Sequence, residues 1–265
     1  LRDPDREWAP AEGEGEKLLA PRVRLAITVS PGNPVPVVTD PASLAALEDA
    51  VAARPELLVL VDYVYAHFLD APVETEIGRL PRNTIGVYSL SKDFGLAGMR
   101  LGVVLIPPAG AAERALGGLT GECRTEADAR YRRRALDPAR MALDDRIVAD
   151  SRGVSFMHMS GLSTPLQALM CLCALYDLID PEAPRYFDWV RGELRARVEA
   201  LYAGLGLPLP GWASGPSSRY STLIDLREVA RTRGGVELER KLVGRSLWPL
   251  LEALAREWKV ILTPG

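Results

Sequence analysis

Cysteine, histidine and long apolar runs are all scarce in this chain. Its 265 residues include three cysteines (Cys123, Cys171 and Cys173) and two histidines. Because no second cysteine pair or histidine cluster accompanies them, the spacing argues against a zinc site. We expect reduced thiols packed in a core, as in a cytoplasmic protein. No apolar run approaches membrane-spanning length and no signal-peptide pattern is seen, which argues against a membrane protein.

The chain also lacks an excess of one charge and the common phosphate-binding loops. Its formal net charge of -3 gives no electrostatic reason to expect nucleic acid or an anionic membrane as a partner. The densest basic run, "RYRRR" (Arg130–Arg134), predicts a solvated helix face. The glycines of "GLAG" (Gly95–Gly98) fit neither GxxxxGK[ST] nor GxGxxG, which excludes a nucleotide loop of those types.

Four short apolar runs with helical sequence between them predict an α/β fold. The runs are "VRLAITVS" (Val23–Ser30), "LLVLVD" (Leu57–Asp62), "NTIGVYSL" (Asn83–Leu90) and "LGVVLIP" (Leu101–Pro107). Strands that are apolar throughout and separated by helices are typical of a mostly parallel sheet. One such helix should begin at the cap residue Asp40.

The second half of the sequence predicts mainly helices. Residues from about 108 to 150 form a polar, helical inserted segment, and helices follow over 163–180, 184–206 and 237–258, with Ser163 as a cap. "YSTLIDL" (Tyr220–Leu226) and "KVILTPG" (Lys259–Gly265) predict strands. We expect residues 1–182 to be part of a large domain and 183–265 part of a smaller α+β domain. The absence of an initial methionine and the ending after a predicted strand suggest a piece of a longer protein.

Several polar residues follow the predicted strands. Asn33 comes after the first strand, Asp62 closes the second, and Ser89 to Lys92 follow the third. Taken singly, Asn33 reads as a turn residue, Asp62 as a cap, Tyr65 as a packed aromatic and Lys92 as a solvated lysine. Taken together, they should face one crevice, because ligands of parallel α/β sheets collect beyond the carboxyl ends of the strands.

The chemistry of this set suits pyridoxal 5′-phosphate. An aldehyde needs a lysine amine to form a Schiff base, and a protonated pyridine nitrogen needs a carboxylate. A ring oxygen needs donors such as an amide and a phenol. A phosphate needs hydroxyls and an arginine that binds through two donors.

The stretch "SLSKDFGLAGMRLG" (Ser89–Gly102) resembles the Ser-x-Ser-Lys-x-x-Gly-x-x-Gly-x-Arg-x-Gly signature of class I/II aminotransferases. "PGNP" and "DYVY" resemble that family's Asn-Pro and Asp-x-x-Tyr motifs. The resemblance implies the aspartate aminotransferase-like fold type I, with helices on both faces of a mostly parallel sheet. The roles it implies are a Schiff-base lysine (Lys92), a partner of the pyridine nitrogen (Asp62), partners of the ring oxygen (Asn33 and Tyr65) and a phosphate grip (Ser89, Arg100 and, as a helper, Ser91).

A longer stretch, "DDRIVADSRGVSFMHMSGLSTPLQALM" (Asp144–Met170), is similar to bacterial aspartate 4-decarboxylases, which are also weak aspartate transaminases. This resemblance implies β-decarboxylation of L-aspartate to L-alanine, with transamination as a side activity. It also implies at least a homodimer, since such sites take residues from a partner subunit. It places a ring-stacking aromatic, a glycine-rich phosphate loop and a carboxylate-binding arginine outside residues 1–265.

Three residues depart from the decarboxylase pattern: Met157, Asp93 and Tyr63. Asp93 places a negative charge beside the Schiff-base position, where an aromatic is usual. His158 matches the pattern, and a structural and a catalytic role are both open. Two other functions therefore stay open: a class I aminotransferase or related enzyme acting on another amino acid, and a non-catalytic remnant that serves as a binding or assembly partner.

Overall fold

The fold is described from a computed structural model that covers residues 2–3, 9–11, 13–154, 162–179, 184–244 and 246–263. Its strands are β1 (Arg2–Asp3), β2 (Ala9–Pro10), β3 (Leu25–Val29), β4 (Leu58–Asp62), β5 (Thr84–Ser89) and β6 (Gly102–Leu105). Strands β1 and β2 form a short antiparallel pair, and β3 to β6 form a sheet in that order. All four strands of the sheet lie within the runs predicted from the sequence.

The sheet is mostly parallel, as predicted. Strand β4 pairs in parallel with both β3 and β5, and β6 closes the sheet antiparallel to β5. The prediction of strands buried throughout is only partly right. Val59 and Val61 of β4 are fully buried, whereas Ile27 of the edge strand β3 is 69% exposed.

The α-helices follow in order: α1 (Pro41–Ala53), α2 (Glu76–Arg79), α3 (Leu90–Asp93), α4 (Ala111–Gly117), α5 (Gly121–Tyr131), α6 (Leu143–Val154), α7 (Thr164–Ile179), α8 (Pro184–Leu205), α9 (Leu226–Leu242) and α10 (Trp248–Ala253). Short 3₁₀ turns cover Glu14–Leu19, Ala66–Phe68, Ala97–Met99, Pro138–Arg140 and Gly211–Ser214, and a π-helical turn covers Leu254–Trp258. The segment from about 108 to 150 is helical, as expected. None of the helices in the described ranges is long and apolar enough to cross a membrane.

Helix α1 covers one face of the sheet. The Asp40 carboxylate accepts hydrogen bonds from the N–H groups of Ala42 and Ser43, so the predicted cap is present. Leu47 of α1 packs in one cluster with Val59 and Val61 of β4. This packing fixes the position of β4, whose carboxyl end carries Asp62, relative to α1.

Helix α8 ends as the sequence predicts. Gly206 has a φ of 76°, a conformation that glycine adopts without steric cost. Its N–H donates to the Ala203 carbonyl, and the N–H of Leu207 donates to the Tyr202 carbonyl, the pattern of a Schellman cap. On its inner side, α8 packs Val190 and Leu194 against the cluster of Val64, Tyr65 and Phe68 that follows β4. Helix α8 therefore rests on the segment that carries Tyr65.

Both strands predicted in the last third are wrong over the described residues. Residues 220–225 form an irregular segment, with Tyr202 bonded through its hydroxyl to Thr222. Residues 259–263 are irregular too, and Lys259 has a φ of 57° while Ile261 is 86% exposed. Strand-forming residue types alone do not make a strand, because a strand also needs a neighbour to accept and donate its backbone hydrogen bonds.

Two further expectations need correction. The helix predicted over 237–258 is interrupted: Gly244, with a φ of 70°, separates α9 from α10. Its predicted start is close to a break inside α9, which begins at Leu226 and is kinked at Gly235, where φ is 72°. The thiols are not packed in a core, because Cys123 and Cys171 are exposed and Cys173 is half-buried. Cys171 and Cys173 are two residues apart on α7 and therefore point to different sides of the helix, which accounts for their different burial.

Candidate active site

The polar segments singled out in the sequence meet at one edge of the sheet. Strands β3, β4 and β5 run in parallel, so their carboxyl ends lie side by side, with Val29 opposite Asp62 and Asp62 opposite Val87. Strand β6 begins at this same edge, where Gly102 pairs with Ser89. Arg100, two residues before Gly102, is thereby placed at the edge as well.

Asn33 and Tyr65 are in direct contact. The Asn33 amide donates a hydrogen bond of 2.8 Å to the Tyr65 hydroxyl. Tyr65 is buried, whereas Asn33 is exposed in the turn after β3. Gly32 allows this turn, because a Cβ at that position would lie 2.5 Å from the carbonyl oxygen of Val35. An amide and a phenol thus meet at one point of this edge.

Asp62 closes β4 with a half-buried carboxylate. Its Oδ1 accepts a hydrogen bond of 2.9 Å from the Val64 N–H, which starts the turn toward Tyr65. Its carbonyl oxygen accepts one of 3.0 Å from the Ser30 N–H, which ties together the ends of β3 and β4. Among the described residues no cation forms an ion pair with Asp62.

Lys92 lies in α3 and faces an aromatic group. Its Nζ is 5.6 Å from the centroid of the Tyr220 ring, within the range of a cation–π contact. The Tyr220 ring lies 5.0 Å from that of Tyr65 and 5.1 Å from that of Phe68, so it links Lys92 to the Asn33–Tyr65 pair. Sequence reasoning missed Tyr220, because it placed this residue in a strand.

Tyr220 is held by its neighbour Arg219. The Arg219 guanidinium is buried, donates to the Ala213 carbonyl and forms an ion pair of 2.7 Å with Asp70. Asp70 follows Phe68 in the loop after β4. The segment that carries Tyr220 is thereby fixed to the loop that carries Tyr65.

The predicted phosphate grip is only partly assembled. The Ser89 and Ser91 hydroxyls lie 2.8 Å apart, and Ser89 caps α3 by accepting from the Ser91 N–H. Arg100 is exposed, has a φ of 54° and donates to the Ala97 carbonyl. Within the described residues no hydrogen bond joins Arg100 to either serine. The two hydroxyls and the guanidinium therefore lie at the same edge of the sheet but do not contact each other.

Two of the three departures, Tyr63 and Asp93, are buried. Tyr63 is buried in the cluster beneath the sheet, where its hydroxyl contacts Glu76 and accepts from the Ile77 N–H. Burial raises the pKa of Tyr63 well above its usual range. Asp93 is turned inward and is 1% exposed, with Oδ2 2.6 Å from Nδ1 of His67. The third departure, Met157, and His158 lie outside the described residues.

The buried Asp93 carboxylate predicts a pH-dependent stability. Burial raises the pKa of Asp93 above its ordinary value of 3.8, and His67 partly offsets this by hydrogen bond and charge. A raised folded-state pKa gives stability that is fully present below about pH 3.8 and is lost as pH rises. We therefore expect Asp93→Asn to be more stable than wild type, by a margin that grows as pH rises above about 3.8.

Urea unfolding of both proteins at several pH values measures this difference. The matched control is Asp49→Asn, which removes the same charge from an exposed position of α1, where no burial cost is relieved, and should not be more stable than wild type. A difference for Asp93→Asn that stays constant with pH would contradict the raised pKa of Asp93.

The groups at this edge fit pyridoxal phosphate. The cofactor requires an amine for its aldehyde, a carboxylate for its ring nitrogen, donors for its ring oxygen and donors for its phosphate. The edge supplies these groups as Lys92, Asp62, the Asn33–Tyr65 pair and the serine hydroxyls. The 2.8 Å contact of Asn33 with Tyr65 brings an amide and a phenol together at this edge.

Known proteins with similar sequences point the same way. The sequence profile "Aminotransferase class I and II" matches residues 12–265. A "Bifunctional aspartate aminotransferase and L-aspartate beta-decarboxylase" of Pseudomonas sp. is 38% identical over 99% of this chain and 49% of its own length. An aromatic amino acid aminotransferase of Mycolicibacterium smegmatis is 36% identical over 33% of this chain and 24% of its own length. The chain thus spans about half the length of the Pseudomonas protein.

Solved structures agree on the fold. A double mutant of Thermus thermophilus aspartate aminotransferase aligns with 77% of this chain and 43% of its own, with a TM-score of 0.53 and 20% identity. Escherichia coli YbdL, whose structure was described with a methionine aminotransferase function, aligns with 95% of this chain and 52% of its own, with a TM-score of 0.55 and 18% identity. The fold is therefore that of the aspartate aminotransferases, fold type I. The chain belongs to the class I and II aminotransferase family, whose cofactor is pyridoxal 5′-phosphate.

Proposed function

We propose that this chain carries the cofactor-binding part of an enzyme that β-decarboxylates L-aspartate to L-alanine and also transaminates it. The observation that carries the proposal is the meeting of Asn33, Asp62, Tyr65 and Lys92 at the carboxyl edge of the sheet, with Asn33 and Tyr65 in contact. Aspartate is favoured as the substrate because the similarity to the Pseudomonas bifunctional protein extends over 99% of the chain.

Each residue has a separate task in this proposal. Lys92 would bind the aldehyde carbon, and its Nζ would then take the proton from the substrate Cα. Asp62 would keep the ring nitrogen protonated, while the Asn33 amide and the Tyr65 hydroxyl would hold the ring oxygen. When bound, pyridoxal phosphate supplies an electron sink for the electron pair left at Cα by proton removal and for the pair left when the β-carboxylate departs.

The remaining groups would orient the cofactor phosphate and shield the Lys92 amine. Ser89 and Ser91 present two hydroxyls 2.8 Å apart toward a phosphate, and the exposed Arg100 can add its guanidinium. Tyr220 covers the Lys92 amine with its ring. Together with Tyr65 and Phe68 it forms an aromatic wall that limits water beside the reacting amine.

A product assay tests this function. The enzyme that contains this chain is incubated with pyridoxal phosphate and L-aspartate, with and without a keto acid as amino acceptor, and alanine, carbon dioxide and keto acid are measured. We expect alanine and carbon dioxide in equal amounts, with a smaller yield of the transamination product.

Other outcomes would overturn the proposal in distinct ways. A keto acid without gas would favour an aminotransferase, and a preference for aromatic amino acids would fit the similarity to the Mycolicibacterium smegmatis protein. Cofactor binding without turnover of any amino acid would favour a non-catalytic binding or assembly partner. The homodimer that the family resemblance predicts is tested by light scattering of the same sample.

A further inference from the structure

A buried carboxylate lies directly beside Lys92. Asp93 ends α3, is 1% exposed, and places Oδ2 2.6 Å from Nδ1 of His67. Its Oδ1 is buried and has no hydrogen-bond partner among the described residues. A carboxylate at this depth needs a donor or a positive charge to offset the loss of hydration. The contact with His67 supplies that compensation.

His67 is itself held from several sides. It lies in the 3₁₀ turn Ala66–Phe68 that follows Tyr65, and the Tyr88 hydroxyl lies 2.9 Å from its Nδ1. The Phe187 ring packs at a centroid distance of 5.0 Å, and Arg191 donates a hydrogen bond of 3.0 Å to the His67 carbonyl. Its imidazole is thus oriented by β5 and by α8.

The geometry around Nδ1 favours one tautomer. A ring nitrogen offers either one N–H or one lone pair. With a proton on Nδ1, His67 donates to the Asp93 carboxylate and can share that proton with the Tyr88 oxygen. With a bare Nδ1, the lone pair would face the carboxylate, which is repulsive. When Asp93 is ionised, its buried charge therefore favours the Nδ1–H form of His67.

Helix α8 holds the same turn from the other side. The Tyr186 hydroxyl donates a hydrogen bond of 2.7 Å to the Asp93 carbonyl, and the Tyr186 ring stacks on Phe94 at 5.9 Å. Four titratable or charged groups lie near His67 and Asp93, namely Lys92, Tyr88, Tyr186 and Arg191. Two more, Tyr176 and Cys173 of α7, lie next to Tyr186. Asp93, the residue next to Lys92, is thus held through its backbone carbonyl by Tyr186 and through its carboxylate by His67.

We propose that His67 and Asp93 are positioning residues for Lys92. Their hydrogen bond joins the segment after β4, which carries Tyr65, to the turn that carries the amine. Neither residue touches the reacting atoms. The inference rests on the proposed function for the role of Lys92, and it adds two residues that set where that amine lies relative to the Asn33–Tyr65 pair.

Selective labelling tests the proposal. The chain has four lysines, of which Lys17, Lys241 and Lys259 are exposed and Lys92 is half-buried. The full chain is treated with limiting pyridoxal phosphate, reduced with borohydride and mapped by peptide mass spectrometry. The exposed lysines are an internal control for general amine reactivity. We expect Lys92 to be labelled in preference to them, and His67→Ala and Asp93→Ala to lose that preference by about tenfold or more.

Conservative variants separate positioning from folding. In Asp93→Asn the amide oxygen can still accept from His67, and in His67→Gln the amide N–H can still donate to Asp93, so both should recover most of the preference. Asp49→Asn, on the exposed side of α1, should match wild type. If wild type shows no preference for Lys92, the proposed function fails. If wild type shows it and the alanine variants keep it, the positioning role is wrong.

A second readout does not depend on cofactor binding. Since the chain has two histidines, imidazole ¹⁵N spectra are readily assigned by comparison with His67→Gln. In the cofactor-free wild type we expect His67 to be held as the Nδ1–H form, and in Asp93→Ala to return to the mixture of tautomers of an exposed histidine. A wild-type His67 that already shows this mixture would overturn the proposal even if the alanine variants did not fold.

Discussion

Replacement of Lys92 by alanine is expected to abolish the visible absorbance band that the wild-type chain should develop with pyridoxal phosphate. The band arises from the covalent link between an amine and the aldehyde, and only a positioned amine forms it at limiting cofactor. Lys92 is the lysine at the carboxyl edge of the sheet, and its Nζ lies over the Tyr220 ring. Absorbance spectra of the two proteins, before and after addition of L-aspartate, measure the effect.

The matched control is Lys241→Ala. Lys241 is exposed in α9, so its removal also deletes one amine and one positive charge but should leave the band intact. Circular dichroism of all three proteins shows whether the fold is retained. If wild type and Lys92→Ala gave the same spectrum, that of free cofactor, then Lys92 would not be the linking residue and the cofactor role proposed for this edge would be wrong.

The layout of this edge could be predicted from the sequence because it depends on local signals. Short apolar runs fixed the ends of β3, β4 and β5, and parallel pairing brings such ends together whatever lies between them. Asn33 and Tyr65 could therefore be expected to meet, and they lie 2.8 Å apart. The cap at Asp40 follows from one residue type and its neighbours in the same way.

The contacts that fix Lys92 could not be predicted, because they join distant parts of the chain. Asp93 was visible as an unusual charge, but nothing local identifies His67 as its partner. Tyr186 and Tyr220 approach α3 only after the second half of the chain has folded back onto the sheet. Such contacts depend on how helices and loops pack, and sequence periodicity does not encode that arrangement.

The failed strand predictions have a similar cause. Residues 220–225 include strand-forming types such as Tyr220, Thr222 and Ile224, yet side-chain contacts of Arg219 and Tyr202 hold this segment in an irregular path. Tertiary contacts of this kind override a weak local preference for extended structure. In this case the irregular path is what brings the Tyr220 ring over Lys92.

Replacement of Asp62 by asparagine is expected to lower turnover of aspartate by about 10²- to 10³-fold. A carboxylate can hold a proton on the ring nitrogen by charge, whereas a neutral amide cannot, so the electron sink weakens. The structure makes asparagine the informative replacement. Asp62 Oδ1 accepts from the Val64 N–H at 2.9 Å, and the oxygen of an amide can keep that bond.

The two roles of Asp62 can therefore be separated by a pair of variants. Asp62→Asn should keep the stability of wild type and the covalent cofactor band while losing turnover. Asp62→Ala removes the bond to Val64 as well, and we expect it to lose about 1 kcal/mol of stability in addition. Rates are compared at saturating cofactor, and stability is measured by urea unfolding. Full activity in Asp62→Asn would show that the charge at the end of β4 is not used by the ring nitrogen, and the carboxylate would then be only the cap of the turn that leads to Tyr65.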